Sequence, residues 1–436
     1  MRRNGFLKVA SVLMLGILMI VNSFAVSEIS VNDAPEGWAS YIGKKDLAGG
    51  RNTPPDATKG TIGGQGGEVF TVKNRTELLN ALNKGDKRII YVEGVIDMTD
   101  TGNGSLIPST YSGSTSELDK MIEKYTADSV LPCKNYSEWK TKYTASFNYT
   151  EDQSGDIAAL RNKMNEAWKN LIYLNIKSNT TLIGVDENAG IRGGSIYVKD
   201  AQNVIIRNLN IGDCYNPFPE IQADDGLNAD FDCVVFRKSK YVWLDHCTLY
   251  STFSAQEIEK DKYSTKDHHD VKWQVYDGLC DIVQTNDFVT VSWCIFRNHD
   301  KTMLVGNSDK VVADINHQTI TLHHNWFDGC TQRLPMVRFA TIHIYNNVYT
   351  NQKKYGIDRR KDCKVYSECN SFEETIRSLT ANKHGSFYDK GSVNIKKENM
   401  DSKPSWNPSD YYKYKAEPAE KAKKLVMSNA GTAKLK

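Results

Sequence analysis

The sequence lacks a Cys-x-x-Cys pair, a basic excess and any apolar run long enough to span a bilayer. Each absence removes a class of function. The nine cysteines (133, 214, 233, 247, 280, 294, 330, 363 and 369) are odd in number and never two residues apart, which argues against a zinc site. Cys363 and Cys369 are spaced for a local disulfide loop, whereas Cys247 and Cys294 sit inside apolar strand patterns and read as small buried hydrophobes. With 55 Lys and Arg against 53 Asp and Glu, there is no cationic surplus with which to bind nucleic acid. The one long apolar run, Val9 to Val21, follows Arg2, Arg3 and Lys8 and precedes the small-x-small stretch Ser23-Phe24-Ala25. It is too short to span and has no stop-transfer flank, so residues 1–25 read as a secretory signal peptide. No cysteine follows it, which argues against lipoprotein processing. Its removal takes the formal charge from +2 to about −1. The mature chain, 26–436, is expected to be secreted, free of membrane segments, monomeric and organised as one domain.

What is present is mostly repetition. Val204-x-Ile206-x-Asn208-x-x-Ile211 is matched by Val242, Leu244, His246 and Leu249, then by Val289, Val291, Trp293 and Phe296. Two further copies follow, at Ile320, Leu322, His324 and Phe327 and at Ile342, Ile344, Asn346 and Tyr349. Apolar residues two apart line one face of a strand, and a polar or bulky residue then marks a bend. Copies separated by loop-sized insertions fit a parallel β-helix, in which equivalent residues stack coil on coil. The alternative is an antiparallel sandwich, and the lack of tight Asn-Gly turns between copies weighs against it. His246 shares a repeat position with asparagine and tryptophan, so a stacked structural role is expected for it.

Around this repeat lie less regular segments. Residues 26–67 form an irregular Gly-rich arm; Val69–Val72 reads as a strand and Glu77–Leu82 as a helix capping one end of the stack. Arg88 to Ile96 reads as one β run. Residues 109–173 read as a helical insertion, because Leu118, Met121, Ile122 and Tyr125, and then Ile157, Leu160, Met164, Trp168 and Leu171, fall on helical stripes. Near the C-terminus, Trp406, Tyr411, Tyr412 and Tyr414 lie in an extended tail expected to wrap back on the stack, followed by a helix from about Glu417 to Met427.

Three aspartates and three cationic residues carry the candidate chemistry. Asp232, Asp277 and Asp281 stand at strand entrances, where carboxylates suit a hard cation such as calcium and equally suit turns. Fully extended, 277–281 would hold its two carboxylates about 13 Å apart, so a shared ion requires a bend at Gly278. Arg333 and Arg338 flank Pro335 and would face opposite sides of a regular strand unless a turn reunites them. Guanidinium pairs recognise carboxylates bidentately, and an exposed charged loop is the plainer alternative. Lys301 completes the set.

Six elements in register resemble polysaccharide lyase family 1, and within it the pectate lyases. They are Val242-Trp-Leu-Asp-His246-Cys-Thr-Leu249, Asp277-Gly-x-x-Asp281, Val289-Thr-Val-Ser-Trp293, His299-Asp-Lys301, Leu322-His-His-Asn325 and Gln332-Arg333-x-Pro335-x-x-Arg338-Phe339. The resemblance implies an all-β, right-handed parallel β-helix and calcium-dependent β-elimination of polygalacturonate, the de-esterified form of pectin. It puts calcium ligands at Asp232, Asp277 and Asp281, the base at Arg333, and substrate-carboxylate contacts at Lys301 and Arg338. The aspartates are expected about one and two coils upstream of the arginines. Ala340 departs from the glycine usual in the family, which bears on the bend after Phe339. A base at Arg333 must lose a proton that arginine ordinarily holds to about 12.5 or above, and neighbouring positive charge would favour that loss. Two other readings remain: a pectin lyase acting on methyl-esterified chains, and a non-catalytic β-helix that binds polysaccharide.

Overall fold

The computed structural model describes residues 33–43, 60–380, 384–395 and 400–435. The signal peptide expected at 1–25 lies outside them. The chain winds through three parallel sheets, of ten, eight and seven strands. One coil shows the order: Lys240–Asp245 in the first sheet, Thr248–Tyr250 in the second, Cys280–Val283 in the third, and then Asp287–Ser292 back in the first. This is a parallel β-helix. Antiparallel pairing among the described residues is confined to two small hairpins, Glu220–Gln222 with Gly226–Asn228 and Lys262–Ser264 with Asp270–Lys272.

The repeat read from the sequence is the repeat of the coil. Val204, Val242, Val289, Ile320 and Ile342 pair in register down the first sheet, and Ile211, Leu249, Phe296, Phe327 and Tyr349 do so in the second. The variable position between them, Asn208, His246, Trp293, His324 and Asn346, has φ of 54°, 48°, 52°, 54° and 52°. These residues turn the chain from one sheet to the next in a left-handed conformation, which asparagine adopts readily and which stacking helps the larger rings to hold. His246 lies 5.8 Å from Trp293, and Trp293 4.2 Å from His324, with near-parallel rings. Inside the next turn position Asn325, Asn347 and Asn370 form a ladder. Each side-chain oxygen accepts from the main-chain N–H one coil back, of Cys294, Asn325 and Asn347 respectively. Each side-chain nitrogen donates to a carbonyl, of Val291, Leu322 and Ile344. Phe296, Phe327, Tyr349 and Phe372 stack beside it at 4.8, 5.0 and 4.4 Å.

The helix Arg75–Leu82, capped by the Asn74 side chain, buries Leu78, Ala81 and Leu82 over one end of the stack. The apolar run Arg88–Ile96 is divided, with Arg88–Val92 in the first sheet and Val95–Asp97 in the second; Gly94 turns the corner at φ 72°. The insertion holds helices Ser116–Thr126 and Gly155–Ile172 as the periodicity indicated, plus Tyr136–Thr144, which the sequence reading did not separate. Its aromatics Tyr136, Trp139 and Trp168 are fully buried core. The arm and the tail meet on the outside of the first sheet, where Trp38, Tyr41, Tyr241, Phe288 and Tyr412 cluster. The closing helix is Ala419–Asn429. Cys363 and Cys369 are free thiols, because they stand at opposite ends of the extended strand Lys364–Glu368, far beyond the reach of a disulfide. Cys247 and Cys294 are buried and unpaired as expected.

Candidate active site

The site grows from the edge where the chain enters the third sheet. Neighbouring strands there are Val234–Arg237, Cys280–Val283, Leu304–Val305 and Met336–Val337, in that order. Gly278 bridges to Lys301 and Lys301 to Gln332, while Cys233 N–H donates to Gly278 O. Asp232, Asp277, Lys301 and Arg333 are therefore brought side by side from four successive coils. Asp277 and Asp281 stand two coils upstream of Arg333 and Asp232 three, one more in each case than expected. The coil in between contributes Asp287–Ser292 to the first sheet, Ile295–Arg297 to the second and only the two-residue strand Leu304–Val305 to the third.

The carboxylates converge over Gly278. A Cβ placed on that glycine would lie 2.5 Å from Asp232 Oδ1 and 2.5 Å from Asp281 Oδ1. The two oxygens are thus no farther apart than twice that distance. The glycine leaves the space for this approach without itself being left-handed, and the chain bends beside it at Leu279. Asp232 Oδ1 accepts from Gly278 N–H at 2.7 Å, and Asp281 Oδ1 from Leu304 N–H at 3.0 Å. Burial raises the Asp232 carboxyl well above its ordinary value, and repulsion from Asp281 and Asp277 adds to it. Asp281 is raised in the same way, by burial and by Asp277, with the Leu304 N–H, Arg333 and Lys301 pulling against. Crowded, partly desolvated carboxylate oxygens are the donor set a calcium ion takes. Asp277 is engaged otherwise, its Oδ1 accepting from Lys301 Nζ at 2.9 Å. No three acidic, imidazole or thiol side chains among the described residues already surround one point at ligand distance. Asp232 and Asp281 offer a cation two neighbouring carboxylate oxygens as they stand, whereas Asp277 is taken up by Lys301.

Arg333 has the most unusual backbone of the set. Lys301 and Leu304 are three residues apart, whereas their partners Gln332 and Met336 are four apart, so this segment carries one extra residue. That residue bulges at Arg333, whose φ is 60°. A non-glycine residue so placed costs about 1–2 kcal/mol, and such strain gathers at functional sites. Its Nε is buried with no hydrogen-bond partner among the described residues. The guanidinium also contacts the Tyr355 hydroxyl and lowers its pKa against the larger effect of burial. Arg338, beyond the short strand, is instead paired with Asp309 at 2.6 Å and donates to Gly306 O at 3.4 Å. No hydrogen bond joins it to Arg333 among the described residues. The bend after this strand falls on Phe339, φ 55°, and Ala340 is simply buried, so its methyl group is accommodated.

Three residues support the site: Asn228 and Tyr355, which the sequence reading missed, and His299, which it named in a motif without giving it a role. Asn228 Oδ1 accepts from Lys301 Nζ at 2.5 Å, from a hairpin whose three-residue strands give no periodic signal. Buried His299 spans Ser251 Oγ and Asp277 O, each at 2.7 Å, and its burial lowers its pKa. Its place two residues before Lys301 was the available clue. Tyr355 lies a coil beyond Arg333, past the strands Met336–Val337, Thr341–Tyr345 and Val348–Thr350, in a stretch that follows the last copy of the repeat.

A model of the family described as "Pectate lyase" matches residues 108–435. The pectate lyase of Bacillus subtilis is 29% identical over 430 residues, covering 92% of this chain and 92% of that protein. Pectate lyase A of Dickeya chrysanthemi is 33% identical over 391 residues, covering 84% of this chain and 79% of that one. A solved pectate lyase bound to a hexasaccharide shares 25% identity and superposes with a TM-score of 0.71, over 92% of this chain and 97% of its own.

Proposed function

Because the chain belongs to the pectate lyase family, we propose that it cleaves de-esterified galacturonan by β-elimination, with calcium held by Asp232, Asp277 and Asp281, Arg333 as the base, and Lys301 and Arg338 on substrate carboxylates. The observation that carries this reading is the convergence of Asp232 and Asp281 over Gly278, beside a bulged arginine with an unpartnered Nε. A calcium ion held by Asp232, Asp277 and Asp281 would supply positive charge to offset the charge that builds on the uronate carboxylate. Arg333 takes the C5 proton, the C4–O4 bond breaks, and a double bond forms between C4 and C5. Water returns a proton to the leaving oxygen. Lys301, released from Asp277, pairs with a substrate carboxylate. Arg338 exchanges Asp309 for a further uronate. Residues 26–436 act as one secreted, monomeric unit in this reading, with 1–25 removed on export.

The test is the ultraviolet absorbance of the unsaturated uronate, followed on polygalacturonate with and without chelator. A rise abolished by chelator and restored by calcium is expected. A rise indifferent to chelator and stronger on methyl-esterified pectin would replace this reading with a pectin lyase; no rise in any condition would leave only a binding protein.

A further inference from the structure

The insertion helix Gly155–Ile172 grips the chain just ahead of the site. Trp168 Nε1 donates to Tyr215 O at 2.7 Å, and Arg161 Nε donates to Phe218 O at 2.7 Å. Asn165 Nδ2 donates to Asp230 Oδ2 at 2.7 Å, and Arg161 Nη2 pairs with the same oxygen. Arg161 is only 3% exposed, so this ion pair is shielded from water and salt on the arginine side. The gripped segment, 213–233, leaves the second sheet after Gly212 and enters the third at Val234. Its only strands, Glu220–Gln222 and Gly226–Asn228, pair with each other and with neither neighbouring coil. A connection this long, well beyond about 12–15 residues, has little rigidity unless it is tied down. It nevertheless carries Asn228, which holds Lys301, and Asp232, which meets Asp281 over Gly278.

We propose that Arg161 is a positioning residue for the cation site. By joining Phe218 O to Asp230 it holds the segment on either side of Asn228 and keeps Asp232 at its distance from Asp281. Arg161 then sets how tightly the site takes calcium, while the buried aromatics of the insertion serve the core. Donor groups that support metal ligands commonly change affinity by about 10–100-fold when removed. This inference rests on the assignment of Asp232 as a calcium ligand.

The test is calorimetric titration of calcium into the full-length protein stripped of metal, without substrate, alongside amide exchange. Arg161→Met should weaken calcium binding about 10-fold or more and speed exchange in 226–233, while exchange in the first-sheet strands stays as in the native chain. Arg161→Lys should recover part of the affinity, since an ammonium can still reach one of the two acceptors. Should Arg161→Met not fold, Asn165→Ala, which removes one bond to Asp230, is expected to give a smaller loss of the same kind. Calcium binding that is unchanged or tighter in the variants overturns the clamp, as does a loss accompanied by faster exchange throughout the sheets. Native protein that takes up no calcium at all sinks the metal assignment itself, a result distinguishable from native-like binding by the variants.

Discussion

The first and third sheets are wound from the same coils and are built on opposite terms. In the first, strands run to six residues, and equivalent side chains stack from Val204 to Ile342 with the Asn325–Asn347–Asn370 ladder satisfied at each turn beside it. In the third, strands shrink to two residues at Leu304–Val305 and Met336–Val337, carboxylates crowd one another, and Arg333 bulges with an unsatisfied Nε. One face accumulates stacked contacts and the other gathers crowded charge. The difference teaches that a solenoid can keep a strained, charged edge because the neighbouring sheet of every coil supplies the order.

That contrast can be broken from either side. The largest effect is expected at Arg333→Lys, which should lower turnover on polygalacturonate by about 10²–10⁴-fold while the melting temperature stays within a few degrees of native. Near-normal turnover would remove Arg333 as the base. Next comes the other sheet. Asn347→Ala leaves the Asn325 N–H and side-chain nitrogen without their shared acceptor and should cost about 2–4 kcal/mol in a denaturant titration; activity per folded molecule should be kept. A loss of activity without loss of stability would erase the division of labour between the sheets. Gly278→Ala should be milder for the fold and specific for the site. Its methyl would press on Asp232 Oδ1 and Asp281 Oδ1, raising the calcium needed for half-maximal rate by about 10-fold, a free energy of about 1.4 kcal/mol.

The last effect concerns acid. Burial pushes His324 down to about 4 and lowers His323 and His343 as well, where the tail crosses the first sheet; Glu417 works against this at His324, and Glu368 at His343. Below an ordinary histidine value of about 6.5 the unfolded chain binds protons that these rings refuse. Stability from them is therefore full above about 6.5 and is lost as pH falls toward 4, by up to about 1.4 kcal/mol per pH unit for each histidine. His324→Gln should flatten that decline in a series of melts. An unchanged slope would show that the tail is latched by its aromatics alone.

The repeat was legible because its periodicity is local: two apolar residues, a bend residue and another apolar residue suffice to build each coil. The left-handed bends at Asn208 and Asn346 agree with the preference of asparagine, and the insertion helices Ser116–Thr126 and Gly155–Ile172 announced themselves by their stripes. The helix Tyr136–Thr144 did not, since polar residues interrupt its buried face, and the Cys363–Cys369 spacing misled because an extended strand lies between the thiols.

The site divides along the same line. Its chemical types, three aspartates, a lysine and two arginines, and the parallel coil that stacks them were determined by the amino-acid order alone. Which of them meet was decided by the tertiary structure. Asp232 and Asp281 come together over the space Gly278 leaves, Lys301 closes on Asp277 and Asn228, and Arg333 bulges while Arg338 turns to Asp309. The reason is physical: side-chain type is a property of one residue, whereas these meetings depend on the register of four coils, set by hydrogen bonds between residues dozens of positions apart.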